Sequence, residues 1–176
     1  MMSYLLQGHI AVVTGAGSGN GQGIAVGYAV EGARVIAVDI NEAGAVETVA
    51  MIDKAGGDAV SYKLDVTDAA ACRALADTVA RDIGQVSVLV NNAGIVRRAK
   101  ITSDTAVQDW DDVLSVNIHG VFNVTHAFLA TLKATKGRIV NLGSIQSFVH
   151  TPNSVAYTTS KGAVRNFTTG LAAELG

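Results

Sequence analysis

His9-Ile-Ala-Val-Val-Thr-Gly-Ala-Gly-Ser-Gly-Asn-Gly21, followed by QGIAVGYAVEG to Gly32, is the stretch that decides the fold. Residues 9–14 form a short apolar, β-branched run, the composition of a strand buried on both faces. Seven residues from Gly15 to Gly21, four of them glycine, follow at once, and from Gln22 alanine, isoleucine and valine recur at helical spacing. The order is strand, glycine turn, helix. Glycines in such a turn let the backbone approach a pyrophosphate, and the helix start supplies free N–H groups and the positive end of a dipole. The spacing is Gly-x-x-x-Gly-x-Gly on Gly15, Gly19 and Gly21, with Ser18 and Asn20 between them. A glycine cluster alone is a weak sign of a nucleotide site; its place between strand and helix strengthens it.

Outward from this unit, residues 34–40 (RVIAVDI) read as a second strand ending near Asp39. A carboxylate about 20 positions after the glycine turn can accept hydrogen bonds from an adenosine ribose and repel a 2′-phosphate. No basic residue stands in the turn or directly after Asp39, which favours NAD over NADP. Residues 41–55 predict a helix closed by Gly56-Gly57. A third strand follows over 59–64, closed by Asp65-Val66, and then a helix to about Ile83, capped by Thr67 or Asp68. A fourth strand over 85–90 runs into Asn91-Asn92-Ala93-Gly94, where the amides serve either to tie strands together or to touch a ligand.

Residues 103–135 are mostly helical, with Trp110, Val113, Leu114, Ile118, Val121, Phe122, Thr125 and Leu129 on one stripe. Asn117 interrupts that stripe, as a satisfied helix–helix link or as part of a site. A fifth strand over 137–142 places Ser144 just past its end, so Ser144, Asn91 and Gly15 converge on one sheet edge. Strand and helix thus alternate five times: an α/β, doubly wound parallel sheet in three layers, with residues 1–176 as one domain.

The segment SIQSFVHTPNSVAYTTSK, residues 144–161, carries the chemistry. On a helix, Tyr157 and Lys161 stand one turn apart on the same face. A cation beside a phenol favours the phenolate, and a nearby serine hydroxyl can hydrogen-bond a carbonyl oxygen. The three can pass a proton to or from a secondary alcohol. Gln146, Phe148, His150 and Val155 are placed to line a substrate pocket, and Gln146 and His150 hint at a hydroxylated or polar substrate.

A net charge of −2 shows no basic stripe, which argues against nucleic acid as a partner. The single cysteine, Cys72, falls on a helical apolar series and reads as core in a reducing compartment. His119 and His126 lack ligand partners at metal spacing, so no metal is expected. The N-terminus lacks the pattern of a signal peptide, and no apolar run approaches the roughly 18 residues of a membrane span. The expectation is a soluble cytoplasmic protein.

Taken together, Thr14-Gly15-x-x-x-Gly19-x-Gly21, Asp65-Val66, Asn91-Asn92-Ala93-Gly94, Asn117, Ser144 and Tyr157-x-x-x-Lys161 resemble the short-chain dehydrogenase/reductase family in order and separation. The resemblance covers essentially the whole chain and implies an NAD(P)-dependent, Rossmann-type oxidoreductase acting on a secondary alcohol or ketone. It implies Tyr157 as general acid/base, Lys161 as its electrostatic partner and holder of the nicotinamide ribose, Ser144 orienting the substrate oxygen, and Asn117 holding a relay water. Gly15, Ser18, Gly19, Asn20 and Gly21 would cradle the pyrophosphate, Asp39 the adenosine ribose, and Asp65 and Val66 the adenine. Asn91, Ala93 and Gly94, with Tyr157 and Lys161, would line the cofactor cleft. A homotetramer is also implied.

Asn20 and Gly143 stand where the family usually has isoleucine and often serine. The resemblance further implies a chain of about 250 residues, so the expectation is a domain incomplete at its C-terminus. A rival reading is a non-catalytic dinucleotide-binding module, a sensor or scaffold; the complete set of four catalytic positions argues for the enzyme.

Overall fold

A computed structural model describes residues 4–176. Five strands, β1 Ile10–Thr14, β2 Arg34–Asp39, β3 Asp58–Lys63, β4 Val88–Asn91 and β5 Arg138–Asn141, pair in parallel in the order β3-β2-β1-β4-β5. The helices are α1 Gly19–Val30, α2 Glu42–Lys54, α3 Ala69–Asp82, α4 Ala106–Leu114, α5 Val121–Ala134 and α6 Val155–Leu175. This is the doubly wound parallel sheet that the alternation predicts. The strand order reverses between β1 and β4, which opens a crevice at their carboxyl ends.

The two faces of the sheet are packed differently, and the sequence explains why. Alternate strand residues point to opposite sides. On one side Val12, Ile36 and Leu89 meet Leu75 and Val79 of α3 and Val124 and Phe128 of α5. On the other, Ala11, Val13, Val35 and Ala37 meet Ala25 and Ala29 of α1 and Ile52 of α2. Alanines on this second side let α1 lie close to the strands, which brings the glycine turn over the end of β1. Cys72 is fully buried in the first layer, as expected, and burial, with Asp68 and Asp65 nearby, pushes its thiol up to about 11. Asp68, rather than Thr67, caps α3: its Oδ1 accepts from Ala70 N and Ala71 N, both at 2.9 Å.

One helical rod runs over Ala106–Ala134, and it departs from the sequence reading in two ways. By length and a mean hydropathy of 1.3 it is apolar enough to cross a membrane, contrary to the expectation that no segment is. Here it is a core helix: Val113, Val121, Val124, Phe128 and Leu132 are buried within the protein, with Asn117 and Thr125 buried beside them. Second, the stripe drawn at constant helical period keeps Val121 and Thr125 on the buried face but misplaces Phe122 and omits Val124, Phe128 and Leu132. Residues Ser115–Gly120 form a π-helical turn between α4 and α5. The wider turn shifts the inward face, so Val124 and Phe128 point in while Phe122 is 53% exposed.

Candidate active site

Carboxyl ends of all five strands meet around one cleft of about 1030 Å³. The glycine turn forms its floor. Gly15 (φ +64) and Gly19 (φ +55) both adopt left-handed backbone, and a side chain on Gly19 would point into open space. The helix start at Ser18 has no side-chain cap, so the first N–H groups of α1 remain free donors. Gly15, Ser18, Gly19 and Asn20 line the cleft. Gly21 does not. A Cβ there would strike the Gly15 carbonyl and sit 2.5 Å from Asn92 Nδ2, so this glycine exists for close packing beneath the turn. Glycine spacing alone does not distinguish the two jobs.

Asn92 secures the turn from the other side. Its Nδ2 donates to Thr14 O (2.9 Å) and Gly15 O (3.1 Å). Thr14 Oγ1 accepts from Asn92 N and Ala93 N, both at 3.1 Å. The ends of β1 and β4 are thereby locked together at the crevice. Sequence reasoning named Asn92 in the motif but not among the site residues; its place between a buried strand and the turn was the available signal.

At the far end of the cleft lie Asp39, Asp65 and Val66. Asp39 Oδ2 accepts from Gly17 N and Oδ1 from Asn41 N, both at 2.8 Å, which fixes the carboxylate against the turn. Each oxygen keeps a lone pair for a ribose hydroxyl. Asp65 Oδ1 accepts from Thr67 N and Oγ1. Asn123 of α5, which sequence reasoning missed, donates to Val66 O (3.1 Å) and holds this corner in place.

The end of the cleft that holds the expected catalytic residues is built from β5 and α6. Ser144, Gln146, Tyr157 and Lys161 all line the cleft. Ser144 Oγ accepts from Gln146 N at 3.1 Å, an arrangement that leaves its proton free to donate. Tyr157 and Lys161 share a face of α6, with Lys161 Nζ 5.8 Å from the phenol ring centroid. Lys161 is buried and donates to Leu142 O at 2.6 Å. Burial pushes its ammonium below the ordinary lysine value.

Two expectations are corrected here, for Asn91 and for His150. Asn91 does not line the cleft: it is buried, and its Nδ2 donates to Thr125 Oγ1 (2.9 Å) and Asn141 Oδ1 (2.8 Å), tying β4 to α5 and β5. His150 is exposed outside the cleft, as are Phe148 and Val155, because the loop before α6 turns away toward solvent. Asn117 is buried just behind the wall. Its Oδ1 accepts from Ile95 N (2.8 Å), and its Nδ2 donates to Ile95 O (2.9 Å) and Ser160 Oγ (3.0 Å). Through these bonds Asn117 links its turn to α6 and to the loop after β4. It fixes Ile95, which lines the cleft, and the residue beside Lys161.

The chain matches the short chain dehydrogenase family over residues 9–176, and it belongs to that family. It is 41% identical over 174 residues to a D-threitol dehydrogenase of Mycolicibacterium smegmatis, covering 98% of this chain and 66% of that protein. It is 37% identical to a gluconate 5-dehydrogenase of Gluconobacter oxydans over 98% of this chain and 68% of the relative. Among solved structures, a gluconate 5-dehydrogenase of Burkholderia cenocepacia in complex with NADP and tartrate superposes with a TM-score of 0.91 at 36% identity, again covering 98% of this chain and 68% of that one. The chain therefore spans about two thirds of the length of these relatives.

Proposed function

We propose that this chain forms the dinucleotide-binding and catalytic region of an oxidoreductase acting on a secondary alcohol or ketone with NAD(H). The carrying observation is that Ser144, Tyr157 and Lys161 share one cleft with an open glycine turn and the free N–H groups of α1. These residues fit a dinucleotide. The first turn of α1 and Gly19 would take its pyrophosphate, Asp39 its adenosine ribose, and Asp65 and Val66 its adenine. When bound, the nicotinamide supplies or accepts a hydride.

The protein's own work is with the proton. Tyr157 exchanges a proton with the substrate oxygen, which Ser144 holds by donating a hydrogen bond. The Lys161 ammonium beside the ring stabilises the phenolate that results. Asp39 carries the preference for NAD, since its fixed negative charge disfavours a 2′-phosphate; the Burkholderia relative holds NADP, so the preference is a property of this chain to be measured. A homotetramer and a cytoplasmic setting complete the reading. Phe122, stacked on His126 and edge-on to Phe167, supplies an exposed aromatic patch on α5 and α6 that supports self-association.

Replacement of Tyr157 tests the mechanism. Tyr157→Phe is expected to lower turnover about 10² to 10⁴-fold with dinucleotide affinity unchanged. Full turnover in that variant would refute the role of Tyr157. Dinucleotide binding by the wild type without turnover on any alcohol would support a non-catalytic module instead.

A further inference from the structure

Two successive peptide planes of the glycine turn are each held at both ends. A trans peptide points its C=O and N–H in opposite directions, so one partner on each side fixes its tilt. In the Gly15–Ala16 plane, Gly15 O accepts from Asn92 Nδ2 (3.1 Å) and Ala16 N donates to Val38 O (3.0 Å). In the Ala16–Gly17 plane, Gly17 N donates to Asp39 Oδ2 at 2.8 Å, and at the other end Ala16 O accepts from Thr48 Oγ1 at 2.7 Å. Asn92, Val38 and Asp39 belong to the sheet and the cleft. Thr48 does not: it stands in the middle of α2, fully buried, and belongs to none of the sequence motifs.

A threonine inside a helix often returns its hydroxyl to the carbonyl four residues back, and Gly44 O is 3.1 Å away. Here the proton has a nearer acceptor. A hydroxyl offers one proton and two lone pairs. Gln22 Nε2 of α1 donates to Thr48 Oγ1 at 3.0 Å, which leaves the proton for one carbonyl, and Ala16 O is the closer. Helix α2 comes this near the turn because residue 44 is glycine; a Cβ there would lie 2.6 Å from Gly17 O. One hydroxyl thus joins α1, α2 and the turn, two residues ahead of Ser18 and the free N–H groups of α1.

We infer that Thr48 is a positioning residue for dinucleotide binding. Its hydroxyl sets the tilt of the Ala16–Gly17 plane, which aims the turn and keeps Gly17 N on the Asp39 carboxylate. The inference rests on the dinucleotide reading above and adds to it a residue that does not line the cleft. Without the hydroxyl, Ala16 O is a buried acceptor that has lost its donor. Rotation of the plane relieves that, and the same rotation releases Asp39.

The test is calorimetric titration of NAD into the full chain, with amide hydrogen exchange of the unliganded protein, for wild type, Thr48→Val, Thr48→Ser and Gln22→Met. Thr48→Val keeps the shape and removes the hydroxyl. It is expected to raise the Kd for NAD about fivefold or more, and to speed exchange at Ala16 and Gly17 well beyond any change in α3. Thr48→Ser restores the hydroxyl and should recover most of both. Gln22→Met, at a half-buried site, should shift both in the same direction by less, and it carries the test if Thr48→Val fails to fold. Wild-type Kd and wild-type turn exchange in Thr48→Val overturn the inference. So does exchange that rises equally at the turn and in α3 with Kd unmoved, the mark of lost packing alone. Faster exchange confined to the turn, with no NAD binding by the wild type, upholds the hold of Thr48 on the turn and refutes the dinucleotide reading.

Discussion

Ser147 is hydrogen-bonded to Lys161 through the backbone: its Oγ donates to Lys161 O at 2.9 Å. The same oxygen accepts from Ser144 N at 3.3 Å. One hydroxyl thus spans the two elements that bring Ser144 and Lys161 to the same cleft.

Removing that bridge should loosen the geometry without touching a reacting atom. Ser147→Ala is expected to lower kcat up to about tenfold, the scale of one or two hydrogen bonds, with dinucleotide affinity unchanged. Ser147→Thr keeps the hydroxyl and should recover most of the activity. Steady-state kinetics of the three proteins decide it, and an unaltered kcat in Ser147→Ala would remove Ser147 from the positioning network.

Asp39→Asn separates charge from shape at the ribose corner. The asparagine keeps one acceptor oxygen for the turn but loses the charge that repels a 2′-phosphate. The ratio of NADP to NAD affinity should rise about tenfold or more. Fluorescence titration with both reduced cofactors measures it; an unmoved ratio would show that Asp39 does not set the preference.

Gly21 and Gly23 lie two residues apart in α1 and should respond in opposite directions. Gly21→Ala drives a methyl into Gly15 O and Asn92 Nδ2 and should cost about 1–3 kcal/mol, with loss of dinucleotide binding. Gly23 has open space around its missing side chain, so Gly23→Ala should stabilise by about 0.5–1 kcal/mol through helix propensity. Urea denaturation of both variants tests the contrast, and destabilisation of equal size in each would defeat it.

Lys161 predicts a pH dependence whose sign is fixed by its burial. The folded protein holds this ammonium less readily than the unfolded chain, so the unfolded state binds more protons between the lowered folded value and 10.5. Burying the charge costs stability at lower pH, and that cost is relieved as pH rises through the window. Lys161→Met has no such term. The stability difference between wild type and Lys161→Met, without cofactor, should shift in favour of wild type as pH climbs from 7 toward 10. A flat difference across that range would contradict the assignment.

Much of this architecture is legible in the sequence because it follows from periodicity. The β1 run, the glycine turn and α1 could be read directly, as could Tyr157 and Lys161 one turn apart. What resisted reading depends on where a side chain points once neighbours are in place. Gly19 and Gly21 are identical in type, yet one opens onto the cleft and the other packs under it. Asn91 and Asn92 are adjacent in sequence, but strand alternation sends only the second toward the turn. His150 and Phe148 lie between Ser144 and Tyr157, and nothing local reveals that their loop bends outward. Ser147 and Asn123 act through backbone carbonyls distant in sequence, which no short motif encodes.

The π turn at Ser115–Gly120 acts as a phase shifter. One additional residue in a turn rotates everything downstream by about 100°. A single rod can therefore face α6 along α4 and the sheet along α5, serving two layers with one continuous backbone. Its length in residues is thus part of its function. Shortening the rod by one residue there, while sparing Asn117, would leave its composition almost unchanged. It would nonetheless turn Val124 and Phe128 out of the core that they form with α3 and the sheet.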